Sequence, residues 1–152
     1  RIRTIHTQGS NAIKAITGER CALNIVGRGL STFTVARGDW VVEPGIETAT
    51  NRMDARIHLL RTEVRGLKHW TQVHLYLGAS HTRGRVVILE DNEVLPGSSP
   101  LVQLVLEQNI VAVNGDRFIL QDPSASRTIG GGKIIDPIAK QQIETLQRLL
   151  VR

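Results

Sequence analysis

The chain has 152 residues, a formal net charge of +5, 41% hydrophobic residues and 22% charged residues. That length holds one domain or two small ones, and the composition is that of an ordinary soluble globular protein. No apolar run approaches the roughly 20 residues needed to span a bilayer, so no membrane partner is expected. Aromatic residues make up only 3%, so the core has to be built from Val, Ile, Leu and Ala. The single cysteine, Cys21, cannot form an internal disulfide, which points to a reducing cytoplasm. Its neighbours are apolar and no histidine is near in sequence, so it reads as a buried strand residue rather than a nucleophile. There is no initiating Met and no signal peptide. The chain starts within what reads as a strand (Ile2, Thr4, Ile5) and is expected to be cut from a longer protein.

In chain order, the first forty residues carry Arg1, Arg3, Lys14, Arg20, Arg28 and Arg37 against Glu19 and Asp39. This local basic excess is compatible with a polyanionic partner. Gly27-Arg28-Gly29 and Arg37-Gly38-Asp39 read as turns. Glu43 to Asn51 has linker chemistry, which puts a boundary between Val42 and Met53. Arg56-Ile57-His58-Leu59 alternates with period two, as does Thr71 to Leu77, where Val73, Leu75 and Leu77 share one face and Gln72, His74 and Tyr76 the other. Val86 to Leu89 is a short apolar strand. Pro96-Gly97-Ser98-Ser99-Pro100 is a turn. Leu101 to Leu106 is almost continuously apolar, as in a strand buried on both faces or a barrel wall. Asn114-Gly115-Asp116 predicts a tight hairpin, and Phe118 to Leu120 a further strand. Ile143, Leu146, Leu149 and Leu150, spaced by threes and fours, predict an amphipathic helix over residues 138–152. Many short strands between turn signals predict an all-β sandwich or barrel.

Gly130-Gly131-Gly132-Lys133 superficially suggests a phosphate-binding loop. That loop needs Gly where Arg127 stands, Ser or Thr where Ile134 stands, and a helix after it. None is present, so the glycines are expected to allow a bulge or close strand packing. The five histidines have no metal-ligand spacing and no cysteine partners, and His74 reads as an outward polar residue. Arg127-Thr128 offers a cation and a hydroxyl in one turn. That is phosphate-binding chemistry, and equally it describes a solvated turn.

Three stretches resemble translation elongation factors of the Tu type. Gly115-Asp-Arg-Phe-Ile-Leu with Arg127-Thr-Ile-Gly-Gly-Gly132 resembles the final hairpin of their third domain. Val73-His-Leu-Tyr-Leu-Gly-Ala-Ser-His81-Thr-Arg-Gly-Arg-Val86 resembles a strand and turn of that domain. Ala15-Ile-Thr-Gly18-Glu19-Arg20-Cys21-Ala22-Leu23-Asn24-Ile25, with Ala36-Arg-Gly-Asp-Trp-Val41, resembles the end of the second domain. Asp122-Pro-Ser-Ala-Ser126 and the ending Ile134-Ile-Asp-Pro137 followed by a helix are similar to the selenocysteine-specific branch, the SelB family. Elongation factor Tu and the gamma subunit of initiation factor two are rival members, and an unrelated β-barrel enzyme or sugar-binding module is a rival of another class.

The resemblance implies an elongation-factor-type β-barrel at residues 52–137, preceded by the last strands of a domain II barrel at 1–44 and followed by the helix at 138–152, leading towards further domains. It implies a cytoplasmic parent GTPase that uses GTP and magnesium and delivers selenocysteyl-tRNA to the ribosome at UGA codons. A messenger RNA hairpin would be bound only through domains after Arg152. This stretch carries no GTPase motif, so neither enzymatic activity nor a cofactor is expected of it. Arg20 matches a pocket arginine that would pair with the selenolate, although a surface arginine in a turn looks the same. His81, Arg83, Arg127 and Thr128 fall in the turns that would contact tRNA phosphate and ribose, with Arg85 and Arg117 as weaker candidates. Exposed strand edges of the partial second domain could pair two copies of the chain.

Overall fold

A computed structural model describes residues 1–29, 35–46 and 48–139. Its regular elements are eleven β-strands. The helix expected over 138–152 lies, from residue 140 onward, outside the described residues, and Pro137 and Ile138 form a turn. The chain divides into two compact units, Arg1–Ala36 and Arg37–Arg152.

The first unit is a three-stranded antiparallel sheet. Strands β1 (Ile2–Thr7), β2 (Ser10–Ala12) and β3 (Cys21–Ile25) lie in the order β2-β1-β3. A two-residue turn joins β1 to β2, with both central residues at positive φ, Gln8 at 49° and Gly9 at 83°. That combination matches the right-handed twist of the flanking strands. None of the described residues here is buried. Cys21, expected to be a buried strand residue, does lie in a strand but is exposed. Among the described residues of this unit, three strands form a single layer and no second layer covers it.

The second unit holds β4 (Ala49–Leu59), β5 (Leu67–Lys68), β6 (Thr71–Leu77), β7 (Ser80–Ile88), β8 (Glu93–Val94), β9 (Leu101–Val111), β10 (Arg117–Gln121) and β11 (Thr128–Asp136). Six of these close into an antiparallel barrel in the order β10-β11-β4-β9-β7-β6, with β6 pairing back onto β10, while β5 and β8 form a small two-stranded sheet. Closure leaves the barrel no free edge. Alternation decides what goes inside. Met53, Ile57, Leu59, Val73, Leu75, Leu77, Leu104, Leu120 and Ile134 are fully enclosed, and among the described residues Phe118 is the one aromatic residue in the core cluster.

The Leu101–Leu106 run is a barrel wall. Val102, Leu104 and Leu106 are buried, and Gln103 is fully buried as well. Gln103 accepts a hydrogen bond from Arg52 Nη1 (3.2 Å) and donates to Asp54 Oδ1 (2.9 Å). The three glycines sit on β11 between β10 and β4. A Cβ on Gly130 would stand 2.4 Å from the His58 carbonyl oxygen, and one on Gly132 would stand 2.3 Å from that of Arg56. They permit close strand packing, and the bulge falls beside them, where the β10–β11 register shifts between Leu120 and Gln121.

Asn114-Gly115 does form a turn, with Gly115 at φ +96°. It does not make the expected hairpin, because the strands on either side, β9 and β10, are not neighbours in the barrel. Instead the turn seats on the end of β11, where the Gly115 N–H donates to the Ile134 carbonyl (2.9 Å) and the Asn114 amide to that of Ile135. Ahead of β4, Trp40 lies over Gly78 in the β6–β7 turn, where an added Cβ would come within 3.0 Å of the indole. Its Nε1 donates to Ser80 Oγ (3.2 Å), and that hydroxyl donates to the Gly38 carbonyl (2.7 Å). This pins residues 38–40 to the barrel.

Candidate nucleic-acid interface

Residues directly opposed on neighbouring strands share a face of the sheet, so the register maps the outer wall of the barrel. Arg83, His74, Gln121 and Thr128 fall in one row across β7, β6, β10 and β11. The next row is His81, Tyr76, Ile119, Gly131 and His58, which extends to β4. A third aligns Arg117, Lys133 and Arg56 across β10, β11 and β4. Arg85 is exposed beside Gln72. All of these side chains are exposed or half-buried. Strands lie about 4.8 Å apart, so cations in successive strands are spaced closely enough to meet a run of backbone phosphates.

Three of the residues predicted to touch tRNA, His81, Arg83 and Thr128, therefore face outward, the first two on β7 and Thr128 three strands round the barrel on β11. Arg83 is half neutralised there, since its Nε contacts Glu107 Oε2 at 2.9 Å. Arg127 stands just before β11 with its side chain 57% exposed and its guanidinium on the carboxylate of Glu63, a side chain only 8% exposed. This contact holds Arg127 still more firmly in its charged form, first through the hydrogen bond and also through the charge of Glu63. Arg20 belongs to the first unit. It is exposed just after a turn closed by the Glu19 N–H on the Ile16 carbonyl (3.1 Å) and the Ile16 N–H on Glu19 Oε2 (3.0 Å).

The β10–β11 connection is built around Asp122. Its carboxylate accepts from Ser124 Oγ (2.6 Å), the Ser126 N–H (2.7 Å) and hydroxyl (3.0 Å), and the Arg127 N–H (3.1 Å). The Ser124 hydroxyl, with the Arg127 and Ser126 donors, holds Asp122 well below the usual carboxylate range. This is the chemistry of a turn that orders its own backbone. It leaves the Thr128 hydroxyl, beyond the turn, on the exposed wall.

Sequence reasoning missed the pairing of His74 with His81. Their ring nitrogens Nδ1 and Nε2 are 2.9 Å apart, and Tyr76 stacks on His81. The signal was present. Gly78-Ala79 makes a two-residue turn that sets Leu77 opposite Ser80, so Tyr76 must face His81 and His74 must lie diagonally from it. Lys133 and Arg56 were also missed, because alternation gives their face but not their alignment with Arg117. Among the described residues no group of three or more His, Cys, Asp or Glu side chains could hold a metal ion.

Comparisons with known proteins agree with this architecture. The chain is 33% identical over 135 residues to the selenocysteine-specific elongation factor of Escherichia coli K12, covering 89% of this chain and 20% of that protein. It is 28% identical over 155 residues to that of Desulfomicrobium baculatum, covering 98% and 24%. It is 29% identical over 136 residues to that of Haemophilus influenzae, covering 90% and 21%. The chain thus spans about a fifth to a quarter of the length of these relatives. Residues 49–141, which take in every strand of the closed barrel, match the family model for the β-barrel domain of selenocysteine-specific elongation factors, and the chain belongs to that family.

Proposed function

We propose that this chain is the tRNA-gripping part of a selenocysteine-specific translation elongation factor, a cytoplasmic GTPase that carries selenocysteyl-tRNA to the ribosome. Residues 1–44 are read as the end of domain II, 52–137 as domain III and 138–152 as the link onward. GTP and magnesium act in the GTPase domain, outside these residues. The observation that carries the reading is the outer surface of the barrel, where Arg83, Arg85, Arg117, Lys133 and Arg56 are exposed on four strands, β7, β10, β11 and β4, with His81 and Thr128 among them. Such a surface attracts a phosphate backbone and reads its shape rather than its sequence.

The tRNA contacts are made by His81, Arg83 and Thr128. Arg127 contributes chiefly by anchoring the turn that presents Thr128, since Glu63 already occupies its guanidinium. Arg20 lines the aminoacyl pocket, where a permanent cation favours a selenolate over an uncharged seryl side chain.

In the full-length factor, Arg83→Ala should weaken binding of aminoacylated tRNA regardless of the amino acid. It should also flatten the dependence of log affinity on log salt, by less than the full unit of an unpaired cation because Glu107 shares its guanidinium. Arg127→Ala should change that slope less. Arg20→Ala should cut affinity for selenocysteyl-tRNA far more than for seryl-tRNA. Affinity and slope both unmoved by Arg83→Ala would end the interface reading, and equal losses for the two tRNAs would end the pocket assignment.

A further inference from the structure

The rings on the outer wall form a continuous cluster, in which Tyr76 stacks on His81 and His74 meets His81 edge to edge through the 2.9 Å contact of their nitrogens. The His74 and His81 planes are 8° apart with centroids at 5.1 Å, and Tyr76 and His81 are 18° apart with centroids at 4.4 Å. Tyr76 is the single tyrosine of the chain, which has five aromatic residues of the Phe, Trp and Tyr kinds. The cluster belongs to no core, because His81 is exposed and the other two rings are half-buried. Beside it opens a cleft of about 350 Å³ lined by His74, His81, Thr82, Arg83, Glu107 and Gln108. Arg83 and Glu107, side by side in its lining on β7 and β9, are paired at 2.9 Å.

These walls differ from those of a phosphate site. A site for phosphate alone needs donors and positive charge, and gains nothing from flat rings or a carboxylate. The cleft instead combines planar imidazole faces, a planar guanidinium, a carboxylate acceptor and an amide that both donates and accepts. A nucleobase has the matching parts: a π-face that stacks on rings and guanidinium planes, and an edge of mixed donors and acceptors. Glu107 on its own would repel RNA, and its pairing with Arg83 offsets that while leaving oxygen lone pairs for a base edge.

We propose that this cleft receives one unpaired nucleobase of the bound RNA, stacked on the His81 ring, which His74 and Tyr76 hold in place, and read at its edge by Glu107 and Gln108. The inference rests on the RNA-binding reading and deepens it: the cation rows hold duplex backbone, and the ring cleft holds a base outside the duplex.

The test uses the 152-residue chain and two probes, a short single-stranded oligoribonucleotide and a blunt RNA duplex containing the same sequence, followed by fluorescence anisotropy at fixed salt. His81→Ala should weaken single-strand binding about tenfold, within the range for loss of one base stack, and duplex binding, to which His81 gives only one backbone contact, several times less. His81→Phe keeps a flat ring and should retain single-strand affinity. Ring protons of Tyr76 and His81 should shift on adding the single strand and not on adding the duplex. A free nucleoside monophosphate at matching concentration should fail to displace the single strand, and displacement would reassign the cleft to a mononucleotide. Single-strand affinity unchanged in His81→Ala, or lost equally in His81→Phe, overturns the stacking site while duplex binding still upholds the interface. Failure of the unaltered chain to bind either probe overturns both.

Discussion

The two units of this chain use the same kind of strand and reach opposite outcomes. All the buried apolar side chains among the described residues belong to the barrel unit, from Met53 to Ile134. The three-stranded sheet buries none, although Ile5, Leu23 and Ile25 lie on its strands and Ile5 is registered against Leu23. Its Ile2, Ile13 and Ile16 are exposed. The difference is closure. Bending six strands round until β6 meets β10 gives every inward side chain a partner across the barrel and removes both edges. Among the described residues of its own unit, a single layer of three strands keeps an uncovered face and two edge strands, β2 and β3. Strand propensity makes the strands in both units, and only closure makes a core.

The sharpest way to break this comparison is to put a side chain where two strands nearly touch. A Cβ on Gly132 meets the Arg56 carbonyl oxygen at 2.3 Å and the Phe118 ring at 2.6 Å. Gly132→Val should therefore cost about 3 kcal/mol or more in urea unfolding of the chain. In the open sheet, nothing lies within 4 Å of a Cβ on Gly9, where only the backbone at φ +83° resists. Gly9→Ala should cost about 1 kcal/mol of left-handed strain. Equal losses at the two glycines would mean that the barrel is no more tightly built than the sheet. Hydrogen exchange measures the same contrast without mutation. Amides of β4 and β9 should be protected at least about a hundredfold more than those of β1 and β3, because local opening of an uncovered sheet exposes no core.

A smaller loss is expected from the polar contact enclosed in the barrel wall. Gln103 is completely buried and bridges Arg52 and Asp54. Gln103→Leu should destabilise the chain by about 1–3 kcal/mol, since the two charged partners lose their buried amide. A neutral or stabilising result would show that water reaches this part of the wall. Smaller again is the effect of the open edges. The chain should self-associate weakly as concentration rises, and a version beginning at Arg37 should not, as read by sedimentation velocity. Association that survives the truncation would place the sticky surface on the barrel.

Much of the barrel is legible in the sequence because alternation is a local property. Val73, Leu75 and Leu77 point inward as their spacing requires, and the triple glycine announces a close approach. What is not legible is which strands meet. Asn114-Gly115 carries hairpin chemistry, yet β9 and β10 part company because the barrel inserts β11 and β4 between them. The same ignorance hid the candidate interface. Arg117, Lys133 and Arg56 are far apart in the chain, and only inter-strand register aligns them. Arg127 was expected to face RNA from its place in a turn, and nothing local reveals Glu63, 64 residues away in sequence, as its partner. Cys21 shows the converse failure, since an apolar neighbourhood in sequence predicts burial only where a second layer exists to provide it.

The mildest effect expected lies at the tip of the β10–β11 hairpin, where the barrel, like the open sheet, has only a turn to order. Asp122 gathers the Ser124 hydroxyl and the donors of Ser126 and Arg127, which hold its carboxyl well below the usual range. A carboxylate whose pKa is depressed in the fold adds stability above its unfolded value of about 3.9. Below that pH the unfolded chain takes up a proton that the folded turn still refuses, and the contribution shrinks until the folded carboxylate is itself protonated. The difference in melting temperature between the chain and its Asp122→Asn variant should therefore be small and constant from neutral pH down to about pH 5, then narrow below about pH 4. Over the same range the Ser126 and Arg127 amide resonances of the unaltered chain should stay in place, because the carboxylate they bond to remains charged. If those amides titrate near pH 4, the turn is a solvated loop, and the order at this end of the barrel comes from strand pairing alone.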